Sequence, residues 1–188
     1  DMTDLPKDLR LDLEKNFSLL SVKESKIIID TDTQKALLTL KDNLAIESVL
    51  MDYDEWLTAC LSSQVGCPLN CAFCATGKMG FKRNLTAEEI VDQILYWKNI
   101  LSNPNKPPFL KGGARRAEDL KRLIFMGMGE PFLNWDNLLV TLKIIKENLN
   151  IGSRKISIST AGIIPKIYEF ADLNTEINLA ISLHAPDQ

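Results

Sequence analysis

The stretch Trp56-Leu57-Thr58-Ala59-Cys60-Leu61-Ser62-Ser63-Gln64-Val65, continued by Gly66-Cys67-Pro68-Leu69-Asn70-Cys71-Ala72-Phe73-Cys74, joins a strand pattern directly to a cysteine loop. Residues 56–65 read as a strand that sets Cys60, Ser62 and Gln64 opposite Leu57, Ala59, Leu61 and Val65. The loop then presents Cys67, Cys71 and Cys74 at C-x3-C-x2-C spacing. Three thiolates at that spacing suit a cubane iron-sulfur cluster, and three ligands for four irons leave one iron open to bind a substrate or cofactor. The same residues also admit a structural zinc site, with Cys60 or His184 as fourth ligand, and a disulfide pair. Zinc usually draws on two short ligand pairs, and here only Cys71 and Cys74 form one. Disulfides suit the chain less: no apolar leader precedes Asp1-Met2-Thr3-Asp4 and no run of eighteen apolar residues occurs. That pattern predicts a cytoplasmic protein with reduced thiols and no membrane partner.

Outward from the loop, strand and helix patterns alternate. A helix is expected from Thr86, a strand at 123–126, a helix near 136–148, a strand at 155–160, a helix from Pro165 and a strand at 177–183. Thr86-Ala87-Glu88-Glu89 fits a capping box. This alternation predicts an α/β chain with parallel strands, in a barrel or an open sheet. Before residue 55 the pattern is different: a short amphipathic helix over 5–17, with Pro6 early in it, then apolar runs at 26–30, 36–40 and 46–50. Turn-prone Asp32-Thr33 and Asp42-Asn43 separate those runs, so a small antiparallel meander is expected. Residues 104–118 carry no periodicity and read as a loop or insertion.

Composition bounds little. With 188 residues, 45% hydrophobic and 25% charged, the chain has ordinary globular content. Its net charge of −3 gives no support for a phosphate-driven nucleic-acid binder. The local basic groups, Lys78, Lys82 and Arg83, and Lys111, Arg115, Arg116, Lys121 and Arg122, read singly as solvated surface.

Strand parity says where chemistry lies. In residues 177–184, Ile177, Leu179, Ile181 and Leu183 share one face, and Asn178, Ala180, Ser182 and His184 the other. A strand buried on both sides would be apolar throughout, so the polar face is expected to line a cavity. Ile156-Ser157-Ile158-Ser159 repeats the split. In parallel β/α folds such cavities open at the carboxyl ends of the strands, where the cysteine loop, His184 and a second loop, Phe125-Met126-Gly127-Met128-Gly129-Glu130-Pro131, all fall. Glycines there let backbone approach a ligand, and Glu130 with nearby carbonyls could hold an ammonium group; the alternative is an ordinary tight turn.

Four blocks together carry a resemblance: Ser62-Ser63-Gln64-Val65-Gly66-Cys67 through Cys74, with Ala75-Thr76-Gly77 and Gly80-Phe81-Lys82-Arg83-Asn84-Leu85-Thr86; Gly127-Met128-Gly129-Glu130-Pro131; Ser157-Ile158-Ser159-Thr160-Ala161-Gly162; and Ala180-Ile181-Ser182-Leu183-His184-Ala185-Pro186. In this order they resemble the RlmN/Cfr family of radical S-adenosylmethionine RNA methyltransferases, from about residue 45 to the last. The resemblance implies a partial (β/α) radical S-adenosylmethionine barrel over 55–188, with about four of six units present, and a small α+β accessory region over 1–54. It implies a 4Fe-4S cluster on Cys67, Cys71 and Cys74, whose open iron chelates S-adenosylmethionine. Gly129, Glu130, Ser159, Ser182, Leu183 and His184 match the family's cofactor contacts. Cys60 matches the cysteine that resolves the covalent RNA adduct, and Glu47 the proton-handling carboxylate. Without the resemblance, Cys60 would be buried filler, Glu47 a surface carboxylate and His184 a polar strand end.

The implied reaction is radical methylation of carbon 2 of an adenine in 23S ribosomal RNA, with transfer RNA as a second substrate and carbon 8 as the Cfr variant. Carbon 2 has no lone pair to attack a methyl sulfonium, so a radical route that goes through a methylated cysteine replaces polar displacement. An electron donor such as a flavodoxin and a monomeric assembly are further expectations. The family's methyl-carrying cysteine lies beyond the last block, and all four cysteines here have other assignments. The chain is therefore expected to be a truncated member, inactive alone, with its final strand an open edge.

Overall fold

The alternation of residues 23–52 becomes three antiparallel strands, β1 (Lys23–Ile29), β2 (Thr33–Thr39) and β3 (Ala45–Asp52). They follow a short helix, α1 (Lys7–Asn16), for which Pro6 is the N-cap rather than a helical residue. Asn43 turns the β2–β3 hairpin at a φ of 64°, and Asp42 Oδ1 accepts from the Leu44 N–H at 3.2 Å. The computed structural model describes residues 4–18, 20–103 and 117–183. Most of the segment expected to be a loop at 104–118 lies outside the described residues, as does His184.

The strand expected over 56–65 is split in two. β4 (Leu57–Cys60) stays in the main sheet, whereas β5 (Gln64–Val65) turns away and pairs with β6 (Arg83–Asn84) as a separate ribbon. Three further strands, β7 (Leu120–Phe125), β8 (Ile156–Thr160) and β9 (Asn178–Ile181), lie parallel to β4. The main sheet has the order β1-β2-β3-β4-β7-β8-β9, so the meander and the parallel strands are continuous through the antiparallel β3–β4 pair. The helices between parallel strands are α3 (Ala87–Ser102), α4 (Trp135–Asn148) and α5 (Ile164–Asp172); a one-turn helix, α2 (Ala75–Lys78), follows the third cysteine of the loop.

One face of the sheet forms the core. Ile46, Leu50, Leu57, Ala59, Leu123 and Ile158 are fully buried in one apolar cluster with Ile90, Ile94 and Trp97 of α3 and Leu138 and Ile145 of α4. Burying leucine and isoleucine side chains such as these stabilises the fold by about 1.5–3 kcal/mol each. The α3 start is as expected: the Glu89 N–H donates to Thr86 Oγ1 and the Thr86 N–H to Glu89 Oε2, a complete capping box. Trp97 Nε1 donates to Ser48 Oγ at 2.9 Å, and Ser48 Oγ donates to the Cys60 carbonyl at 2.9 Å, so the helix is stitched to the sheet by a polar chain inside the apolar layer.

The other face carries the polar groups that parity predicts on β8 and β9, beside apolar residues of β3 and β7. Register aligns Val49, Cys60, Ile124, Ser157 and Asn178 in one row across five strands, with Glu47, Ser159 and Ala180 on the same side. β9 is at the sheet edge, and Ile181 is 50% exposed there. No helix among the described residues is long and apolar enough to cross a membrane.

Candidate active site

Between β4 and β5 the backbone leaves the main sheet while buried, so the amides and carbonyls of Ser62 and Ser63 need partners other than a strand. Side chains from distant elements supply them. Gln93 of α3 accepts from the Ser62 N–H at 2.8 Å and donates to the Ser62 carbonyl at 2.9 Å. Asn134 donates to the Ser63 and Leu85 carbonyls, both at 2.8 Å. The Met128 carbonyl accepts from the Ser63 and Gln64 amides at 2.8 and 3.1 Å. These bonds aim the chain out of β4 and into the cysteine loop at the carboxyl end of the parallel strands.

The loop closes where it began. Gly66, at a φ of +74°, stands so close to Gly80 that a Cβ there would lie 1.7 Å from the Gly80 carbonyl oxygen. The Lys82 N–H donates to the Val65 carbonyl at 2.9 Å, which seals the β5–β6 ribbon. Below it, the Arg83 guanidinium holds Glu89 at 2.7 Å and Asp42 at 2.7 Å; these two carboxylates raise its pKa and Arg83 in turn lowers that of Asp42. The ribbon is thereby tied both to α3 and to the β2–β3 turn.

Four segments meet at the strand ends: the cysteine loop and the chain that follows β7, β8 and β9. Cys67, Cys71, Cys74, Gly129, Glu130, Ser159 and Ser182 line one cavity of about 250 Å³, together with Leu69, Phe73, Phe125 and Met126. Seven of the expected residues are thus brought together. The hydroxyls of Ser159 and Ser182 lie 2.8 Å apart. Glu130 is 4% exposed, and its two carboxylate oxygens accept from the Phe132 N–H at 3.0 Å and the Ala161 N–H at 2.8 Å, so it clamps the β7 loop to the β8 loop. Gly129 has a φ of +98°, and a Cβ there would lie 2.5 Å from Gln64 Cβ.

All four cysteines are free thiols. Burial raises the pKa of Cys67, and the nearby Cys71, Glu130 and Cys74 push in the same direction. Among the described residues, no three His, Cys, Asp or Glu side chains are grouped so as to share one metal ion. A polynuclear cluster binds each thiolate to a different iron and so needs them further apart than a single zinc would. The donor set, three half-buried thiols around one cavity with an apolar rim, fits such a cluster.

Three expected residues stand elsewhere. Cys60 ends β4, is 9% exposed, and bonds to Met126 backbone beneath the cavity; burial pushes its thiol up to about 11. Glu47 is exposed on β3 and pairs with Lys35 at 3.1 Å. Leu183 is 78% exposed. Gln64, which strand parity groups with Cys60 and Ser62, is joined in holding the site's frame by two residues the sequence did not single out, Gln93 and Asn134. The only sequence signal of those two is a polar side chain at a buried position, which shows only once the fold is known.

A second, smaller cavity of about 180 Å³ opens at the opposite ends of the same strands. There the Arg122 guanidinium lies 4.0 Å from the Trp56 ring centroid, beside Tyr53, Ser157 and Asn178.

A crystal structure of a radical S-adenosylmethionine methyltransferase from Sphaerobacter thermophilus is similar over 99% of this chain and 52% of that one, at a TM-score of 0.85 and 37% identity. In sequence, the chain is homologous over its full length to the RlmN family. It is 45% identical over 98% of its length to a protein of Dictyoglomus turgidum named probable dual-specificity RNA methyltransferase RlmN, and 44% identical over 100% to one of the same name from Bacillus subtilis. The chain spans about half the length of these curated relatives, 50% and 49% respectively. No protein-family model matches it.

Proposed function

We propose that this chain carries the cluster-binding and cofactor-binding part of a radical S-adenosylmethionine enzyme that methylates carbon 2 of an adenine in 23S ribosomal RNA, with transfer RNA as a second substrate. The observation that carries this reading is the convergence of three free thiols, Gly129, Glu130 and the Ser159–Ser182 pair on one cavity at the strand ends. In it, Cys67, Cys71 and Cys74 hold a 4Fe-4S cluster and Gly129, Glu130, Ser159 and Ser182 hold S-adenosylmethionine, with Leu183 and His184, the next two residues along the chain, assigned to the cofactor by the family pattern alone. When bound, the reduced cluster supplies the electron for cleaving the sulfonium.

The protein's own part is placement. Glu130 is fixed by two amides yet keeps lone pairs for an ammonium group. The paired hydroxyls offer donors and acceptors to a polar ligand. Phe73, Leu69 and Phe125 give the cavity an apolar lining, which favours a reactive species over water once a ligand covers them. Adenine must leave its stack to reach such a pocket. Cys60 and Glu47 lie on the same sheet face, and in the family pattern they serve as resolving thiol and proton-handling carboxylate. A protonated thiol is a weak nucleophile, so Cys60 needs a base in that role.

Residues 1–54 as an accessory region, 55–188 as a partial barrel, a flavodoxin-like electron donor, a monomer and a cytoplasmic location belong to the same proposal. Anaerobic reconstitution tests it. A brown protein with four irons per chain that releases deoxyadenosine under reduction supports it. Colourless protein holding one tight zinc sinks it in favour of a zinc-stabilised binding module. Deoxyadenosine release that RNA does not affect, with no RNA bound, points to a different substrate.

A further inference from the structure

Gln64 is 1% exposed and sits where the root of the cysteine loop meets the glycine loop. Its Oε1 accepts from the Glu130 N–H at 2.8 Å, and its Nε2 donates to Asn84 Oδ1 at 2.8 Å. Asn84 lies directly across the β5–β6 ribbon from it, and Asn84 Nδ2 donates onward to the Leu133 carbonyl at 3.3 Å. One side chain therefore joins the ribbon that closes the cysteine loop to the residue whose carboxylate reaches β8. Its stem packs so tightly on Gly129 that no other residue type fits there. The link needs an acceptor and a donor side by side on one terminal group, and among neutral side chains of this length the glutamine amide supplies both.

We propose that Gln64 is a positioning residue: it fixes the separation and tilt between the cysteine loop and the Gly129–Glu130 loop, so that a cofactor on the second meets metal held by the first. The inference rests on the cluster and cofactor reading above. Gln64→Met keeps the volume but leaves the Glu130 N–H and Asn84 Oδ1 without partners. Gln64→Glu keeps the acceptor toward Glu130. Asn84→Ala cuts the same link from the exposed end and leaves Gln64 in place.

The test compares reconstituted parent and variants in three measurements: iron and sulfide content, affinity for S-adenosylmethionine, and the change that this cofactor causes in the electron paramagnetic resonance spectrum of the reduced cluster. Gln64→Met and Asn84→Ala are expected to retain the parent's iron while binding the cofactor roughly tenfold more weakly, with the spectral change lost. Gln64→Glu restores part of that change. Parent-like affinity and spectra in Gln64→Met and Asn84→Ala overturn the proposal. So does loss of iron in step with affinity, which makes Gln64 a support for the loop alone. If Gln64→Met does not fold, Asn84→Ala decides. A parent chain that takes up no cluster overturns the underlying reading, and is told apart because every protein then fails alike.

Discussion

The two ends of the polar sheet face are built from different materials. At the carboxyl ends of the strands, thiols, glycines, hydroxyls and a buried carboxylate converge from four segments of the chain. At the amino ends, Arg122 rests on Trp56, and Asn178 Nδ2 donates to the Arg154 and Ile156 carbonyls at 3.0 and 3.1 Å. The second set is satisfied within the protein by stacking and backbone bonds. The first keeps groups able to take a ligand, although its frame is fully bonded. The difference teaches that reactive groups are placed by a rigid, self-satisfied framework behind them rather than by one another.

The sharpest way to break this comparison is to remove a thiol. Cys71→Ala or Cys74→Ala is expected to abolish stable uptake of iron in anaerobic reconstitution, whereas Arg122→Ala leaves iron per chain unchanged. If both ends lose iron alike, the division between them is wrong. Next in size is the clamp. Glu130→Ala leaves the Phe132 and Ala161 amides, both accepted by this buried carboxylate, without a partner. Urea unfolding should show a loss of about 3 kcal/mol, with Glu130→Gln less affected because it keeps an acceptor. An unchanged midpoint would show that the β7 and β8 loops hold together without it.

Cys60 sharpens the contrast among the thiols. Burial moves its pKa from 9.0 to about 11, so the folded state prefers the protonated form. The stability this confers is fully present below pH 9 and is lost as pH rises through about 11. Alkylation at neutral pH is expected to be slowed about a hundredfold relative to an ordinary thiol, and to accelerate between those two pH values. Peptide mapping after timed iodoacetamide labelling reads this directly. Cys60 reacting as fast as Cys74 at neutral pH would place it on the cavity after all.

Much of this was legible in the chain. The period-two split of Ser157, Ser159 and Asn178 from Ile156, Ile158 and Leu179 predicts the polar face, and the register delivers it. The Thr86–Glu89 capping box is a local rule and appears as written. The break after Cys60 was not legible. Residues 61–65 read as more of the same strand because alternation continues, but at Ser62 and Ser63 the side chains of Gln93 and Asn134, 31 and 71 residues away, take the place of a neighbouring strand. Nothing local announces such partners. Glu130 shows the same limit: a carboxylate after a glycine turn suggests a ligand, whereas its two amide bonds to separate loops emerge only in three dimensions. Glu47 was visible through resemblance alone, and its position beside Lys35 is that of an ordinary surface carboxylate.

The smallest effect tests the amino-terminal end. Arg122 is exposed and its described contact is with the Trp56 ring, so Arg122→Ala is expected to cost about 0.5–1 kcal/mol. That change falls well short of the clamp's and should leave the cavity's thiol chemistry untouched. Arg122→Lys should recover part of it, since an ammonium still lies over the ring but stacks less broadly. A loss as large as that of Glu130→Ala would mean that the amino ends are framework too, and that the division lies between loops and strands rather than between the two ends of the sheet.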